Sequence, residues 1–327
     1  MLFRSSNNNL GILLCYTGRL KEAETACADA LATKKQLAAD FPTRPEFRHD
    51  LARSHNNLGN LLYATGRLKE AETAYADALA IFKQLTADFP TRPEFRQDLA
   101  TSHNNLGNLL RATSRLQEAE TAYADALAIR KQLAADLPNQ PDLRNAVAGS
   151  CVNLAILCNQ RRDFKTAKTY LEEAQPHHQA ALKANSRNPE YRQYYRNNLM
   201  VLVDANAGLQ DQAAAVQAAE KLRDLAWDPP GNAYDAGCAL ALCIPVVEKD
   251  DPLNAEKRQA AVQFYGDQAM AMLRDAVAKG FKDAEHMKKD KDLDPLRERE
   301  DFQKLLAEVE AKQKEPRVKN QESEKKQ

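Results

Sequence analysis

The stretch DKDLDPLRERED spaces five carboxylates, Asp290, Asp292, Asp294, Glu298 and Asp301, as positions 1, 3, 5, 9 and 12 of a calcium-binding loop. Such a loop turns sharply on a Gly at position 6 and closes on a bidentate Glu at position 12. Pro295 and Asp301 stand in those places, so the expectation is an acidic turn ahead of a closing helix, and no metal. His177 and His178 are adjacent, and neighbours along a helix do not face one another, which suits them poorly to a shared metal. They are expected to be exposed. His55 and His103 hold one place in two copies of a repeated segment, about 10 Å apart if the copies pack as neighbouring helices do. One zinc ion would hardly reach both, and each His is expected to be packed and hydrogen-bonded.

The cysteines, at 15, 27, 151, 158, 238 and 243, form no CxxC pair and read as buried free thiols. The sequence carries no glycine-rich phosphate loop, no His-Arg-Asp, no Asp-Phe-Gly, no HExxH and no GxSxG. The expectation is therefore a protein without catalytic residues and without a cofactor.

Composition narrows the classes further. Forty-six basic residues balance forty-six acidic ones, so no global field gathers nucleic acid or an anionic membrane, and neither is expected as a partner. Ala, Leu, Glu, Gln and Lys are abundant while Gly and β-branched residues are few, which favours helix over strand. The apolar patch from Leu10 to Cys15 is too short for a signal h-region or a membrane span. Leu14 stands where a lipoprotein cleavage site needs a small residue. The chain is expected to be cytoplasmic.

What would position any site is an internal repeat. PEFR at Pro45 and Pro93, PDLR at Pro141 and PEYR at Pro189 recur at a spacing of 48, and Pro45–Arg92 differs from Pro93–Gln140 at ten positions. Within a unit, Phe47, Leu51, His55, Leu58 and Leu62 lay an apolar stripe along a first helix, with Pro45 in its opening turn. TGR breaks the pattern, Gly66 being free to take a left-handed turn. Leu68, Ala71, Tyr75, Ala78, Phe82 and Leu85 form the stripe of a second helix, closed by DFPTRP. Each unit is thus a helical hairpin that buries its stripes only by stacking on its neighbours.

The organisation that follows is an array over residues 1–226, with units near 1–44, 45–92, 93–140 and 141–188 and a degenerate copy over 189–226 that carries a small deletion. WDPPGN punctuates the chain at Trp227, and residues 227–314 hold another hairpin and a capping helix. Residues 315–327 read as a disordered charged tail. By period, Met1 aligns with His49, so the first unit lacks the PEFR opening and starts inside its first helix. Self-association through that truncated unit is a further expectation.

Leu58, Gly59, Leu62, Ala71, Tyr75 and Ala78, repeated as Leu106, Gly107, Leu110, Ala119, Tyr123 and Ala126, resemble the tetratricopeptide repeat signature. NNLGNLLYATGRLKEAETAYADALAI is most similar to the kinesin-light-chain style of that repeat. His55 and His103 depart from it, standing where the family often has Trp. The resemblance implies an all-α, right-handed superhelical solenoid of helical hairpins with a C-terminal helical cap. The repeats, with their Asp-Leu-x-Pro-Leu-Arg turn before the last helix, also resemble the carboxy-terminal regions of bacterial serine/threonine kinases. A regulatory module separated from such a kinase, without catalytic elements of its own, is the alternative reading.

In tetratricopeptide arrays the first helices line the concave face, and ligand contacts come from residues off the stripe. The resemblance places Asn8, then Arg53, Asn56, Asn60 and Tyr63, then Thr101, Asn104, Asn108 and Arg111 on that face. Each Asn amide offers donors and acceptors together, which suits the backbone of an extended peptide whatever its side chains. The expected function is a protein-interaction scaffold whose concave face holds a peptide or helix of a partner protein.

Overall fold

The computed structural model describes residues 20–249 and 253–314. Among these the structure is helical throughout, with no strand. The helices are α1 (Leu20–Asp40), α2 (Pro45–Ala64), α3 (Leu68–Asp88), α4 (Pro93–Ala112), α5 (Leu116–Asp136), α6 (Pro141–Gln160), α7 (Phe164–Ala184), α8 (Pro189–Gly208), α9 (Gln212–Arg223), α10 (Pro229–Glu248), α11 (Ala255–Ala278), α12 (Ala284–Lys289) and α13 (Glu300–Lys314), with a 3₁₀ helix over Lys291–Leu296. They divide into two compact units. One holds the described residues up to Leu157 with Pro176–Ser186; the other holds Cys158–Gln175 with the residues from Arg187 onward.

In the first unit consecutive helices pack in sequence from α1 to α5, and the first helices α2 and α4 also touch. Proline sets the starts: Pro45 and Pro93 occupy the first turns of α2 and α4, where a missing N–H costs no helical bond. The turn between hairpin arms is a Schellman motif. Gly66 lies at φ 77°, and the N–H of Arg67 donates to Leu62 O at 2.8 Å across it. Ser114 repeats this geometry at φ 60°, with Arg115 donating to Leu110 O at 2.9 Å.

Packing follows the second-helix stripe. Ala71, Tyr75, Ala78, Phe82 and Leu85 are all buried, as are Ala119, Tyr123, Ala126 and Leu133 one repeat later. Phe82 and Leu85 meet Phe95 and Leu99 of the next first helix in one cluster, each large side chain contributing about 1.5–3 kcal/mol of burial. On α2 the buried set departs from the expected stripe: Ala52, Ser54, Asn56, Gly59 and Leu61 are buried with Leu62, whereas Phe47, Leu51, His55 and Leu58 are only half-buried. Ion pairs join successive repeats at the margins, Arg92 to Glu46 at 3.0 Å and Arg115 to Glu72 at 2.6 Å.

In the second unit α8 packs on α9 and α10, and α10 packs on α9, on α11 and on the 3₁₀ helix. α9 is short, 12 residues against 21 in α3 and α5. Asn188, Asp211, Asp228 and Asn254 each cap the helix they precede through a side-chain oxygen. The closing segment buries Leu293, Leu296, Phe302, Leu305 and Val309. Among the described residues no helix is long and apolar enough to cross a membrane. Cys27, Cys151, Cys158, Cys238 and Cys243 are buried thiols, while Cys15 lies outside the described residues.

Candidate functional site

The described part of the expected row lies on the first helices α2 and α4, and each of its amides there already has a bond inside the protein. Tyr75 and Tyr123, rising from the second helices, donate their hydroxyls to Asn60 Oδ1 and Asn108 Oδ1, both at 2.8 Å. Between repeats, Asn105 Nδ2 donates to Asn56 Oδ1 at 3.3 Å, and Asn153 Nδ2 to Asn104 Oδ1 at 2.7 Å. The carbonyl oxygens of Asn56, Asn60, Asn104 and Asn108 are therefore all occupied. None of their Nδ2 groups donates to any described residue. The amides are thus fixed through their oxygens by neighbouring side chains. Asn56 is only 9% exposed, so the row is less open than a polar helix face would be.

The flanking residues differ between copies. Arg53 is exposed, its Nε 3.9 Å from Asp98 Oδ2, and the same carboxylate oxygen lies 2.7 Å from His49 Nε2. The Thr101 hydroxyl donates to Gln97 O in its own helix at 3.0 Å. Tyr63 is half-buried against Leu62, Ala71, Ala74, Tyr75 and Leu109. Burial raises the pKa of Tyr75, with Tyr63 adding to the effect. Tyr123 is raised by the same cause, and the charge and hydrogen bonding of Arg111 beside it act in opposition. Asn8 lies outside the described residues, as does the start of the first unit through which self-association was expected.

Sequence reasoning missed the rungs. Asn105 and Asn153 tie each first helix to the one before it, and the paired Asn56–Asn57 and Asn104–Asn105 were the available signal.

The histidines separate. His55 Nδ1 lies 3.4 Å from Asp77 Oδ2, and His103 Nδ1 lies 3.5 Å from Asp125 Oδ2, each facing the second helix of its own hairpin. Burial lowers both pKa values, the aspartates acting in opposition. His178 corrects the expectation of exposure, being 0% exposed. It stands two repeats after Phe82, so it continues the buried stripe of Leu171, Ala174 and Ala181 on α7. Arg130 holds the same place in the intervening copy and donates to Ser150 Oγ at 2.7 Å.

The carboxylates of the near-miss calcium loop serve the fold. Asp290 accepts from the N–H of Asp292 at 3.0 Å and from the hydroxyl of Tyr234 at 2.7 Å. Asp294 pairs with Arg297 at 2.7 Å, and Asp301 pairs with Arg299 and Arg274, both at 3.0 Å. Among the described residues no group of three or more His, Cys, Asp or Glu side chains could hold a metal.

The family profile described as tetratricopeptide repeat matches residues 5–42, 51–90 and 99–142. No curated protein matches the chain. The crystal structure of the apo form of RapI is similar with a TM-score of 0.56 and 15% identity, over 96% of this chain and 99% of that one. The crystal structure of BtubC (BKLC) from P. vanneervenii is similar with a TM-score of 0.52 and 19% identity, over 80% of this chain and 93% of that one. At such identities these likenesses concern the fold. With the profile falling on three successive 48-residue units and the hairpins stacked as described, the chain is an all-α solenoid that carries tetratricopeptide repeats.

Proposed function

We propose that the protein is a cytoplasmic scaffold that holds an extended segment of a partner protein along the asparagine row of α2 and α4, acting by binding and not by turnover. The tetratricopeptide solenoid is a scaffold fold typical of protein–protein interaction, and such arrays bind on the surface their first helices line. One observation carries the reading to this row. The oxygens of Asn60 and Asn108 are held by buried tyrosine hydroxyls, which leaves both Nδ2 groups oriented and without an acceptor among the described residues. Donors ordered in advance lose little freedom on binding. Their complement is a run of acceptors, which the main-chain carbonyls of an extended segment supply at about 3.3 Å per residue.

The test is the pair Asn60→Asp and Asn108→Asp made together. Asp keeps an oxygen for each tyrosine hydroxyl and replaces the free donor with an acceptor. A partner captured from native lysate by the intact chain and lost from this variant supports the row as the binding face. Equal capture by both, or capture by neither, removes it.

A further inference from the structure

The second unit departs from the repeat at α11. Leu68 opens α3 three residues before the signature residue Ala71, whereas α11 opens at Ala255, far ahead of the corresponding Ala269. Residues 255–265 are thus a helical extension, preceded by the long connection from α10. Between this extension, the end of α10 and the turn joining α8 to α9 lies a cavity of about 500 Å³. That is within the range of small-molecule sites, roughly 300–1,000 Å³.

Its lining has two characters. Ala207, Val247 and Phe264 give apolar walls. Of its polar residues Gln210 has a partner within the protein, and three others offer groups left over from the fold. Tyr265 is 0% exposed, and its hydroxyl makes no hydrogen bond with any described residue. Lys257 is exposed and forms no ion pair with any described residue, and the amide of Gln212 has no partner there either. A buried hydroxyl without a partner is costly, and native structures keep few of them. The nearby carboxylate of Asp211 is turned to the N–H of Ala214, which it caps at 3.0 Å.

We propose that this cavity binds a small carboxylate with an apolar body, an aliphatic or aromatic monocarboxylic acid. Its carboxylate accepts from the Tyr265 hydroxyl beside the Lys257 ammonium, and its body rests on Phe264 and Val247. The site is separate from the asparagine row, and its failure leaves that row untouched.

The experiment is calorimetric titration of the full chain with sodium octanoate, with 1-octanol as the probe of the same body without the charge. Octanoate is expected to bind, and octanol at least about tenfold more weakly. Tyr265→Phe is expected to weaken octanoate by about tenfold or more, the effect of one buried hydrogen bond to a charged group. Lys257→Ala should weaken it by about two- to fivefold, as an exposed charge does. Ala260→Trp, which fills the cavity from its rim, should abolish binding. The ligand-free Tyr265→Phe protein should unfold at the same denaturant concentration as the parent or a higher one, which separates lost affinity from lost fold. No octanoate binding by the intact chain overturns the proposal. So does an affinity unchanged by Tyr265→Phe, or octanol binding as tightly as octanoate.

Discussion

The ring of Tyr75 occupies the space into which a side chain on Gly59 would project, for a Cβ there would stand 2.5 Å from Cε1. Gly107 and Tyr123 repeat the relationship at 2.6 Å. In an exposed helix Gly→Ala gains about 1 kcal/mol. Here both rings are buried and held by their hydroxyl bonds to Asn60 and Asn108, so they have no room to withdraw. Gly59→Ala and Gly107→Ala are each expected to destabilise the protein by about 1–3 kcal/mol, as overpacking of a filled core does. Urea denaturation checks this, and a variant more stable than the parent would show that the ring is not fixed.

The hairpin turns give a prediction of opposite sign. Gly66, Ser114, Arg162 and Gln210 follow one another at the repeat spacing with φ of 77°, 60°, 59° and 60°. The left-handed conformation costs a residue with a Cβ roughly 1–2 kcal/mol, and Gly gives back about 0.4–1 kcal/mol through the freedom of its unfolded chain. Ser114→Gly should therefore raise stability by up to about 1 kcal/mol, and Gly66→Ser should lower it by a similar amount. Thermal unfolding of the two variants beside the parent decides, and shifts of the same sign in both would contradict the account.

His178 makes stability depend on pH. Burial, with a smaller contribution from His177, pushes its pKa down to about 4, against an ordinary value near 6.5. Between those values the unfolded chain binds a proton that the folded chain refuses, so stability falls as the pH drops from 6.5 to about 4. The loss attributable to this one side chain is about 3 kcal/mol. His55 and His103, lowered by the same cause, add to it in the same direction. Denaturant midpoints measured across this window should fall less steeply for His178→Gln than for the parent. Identical slopes would mean that His178 takes up its proton in the folded state as readily as in the unfolded one.

The hairpins were legible because two physical signals repeat at 48 residues: proline at the first helical position, and small or aromatic residues at steps of three and four. The same register carries His178 into the core, since it stands where Phe82 stands. Its polar type and its neighbour His177 pointed to the surface, and position overrode type. The asparagine row was legible as a set of residues but not as a set of bonds. Sequence spacing places Asn56 and Asn105 on neighbouring first helices, yet only packing decides that the second donates to the first. The cavity beside Tyr265 had no sequence signal beyond the insertion before α11, because it exists where the period fails.

The bond between Tyr75 and Asn60 joins stability to the proposed binding face, and a mutant cycle separates the two. Asn60→Ala leaves the hydroxyl of a residue only 2% exposed without its acceptor, which should cost about 1–3 kcal/mol. Tyr75→Phe removes the donor as well as the bond and should cost only about 0.5–1.5 kcal/mol. In the double variant the orphaned hydroxyl is gone, so the combined loss should fall short of the sum of the single losses by about 1 kcal/mol. Additive losses would show that the bond is not formed in solution. Asn60→Asp keeps an oxygen opposite the hydroxyl and should unfold close to the parent. If Asn60→Asp loses partner binding at unchanged stability, the free Nδ2 donor is responsible. If binding weakens only in variants that also lose stability, the amide acts through the Tyr75 ring it holds.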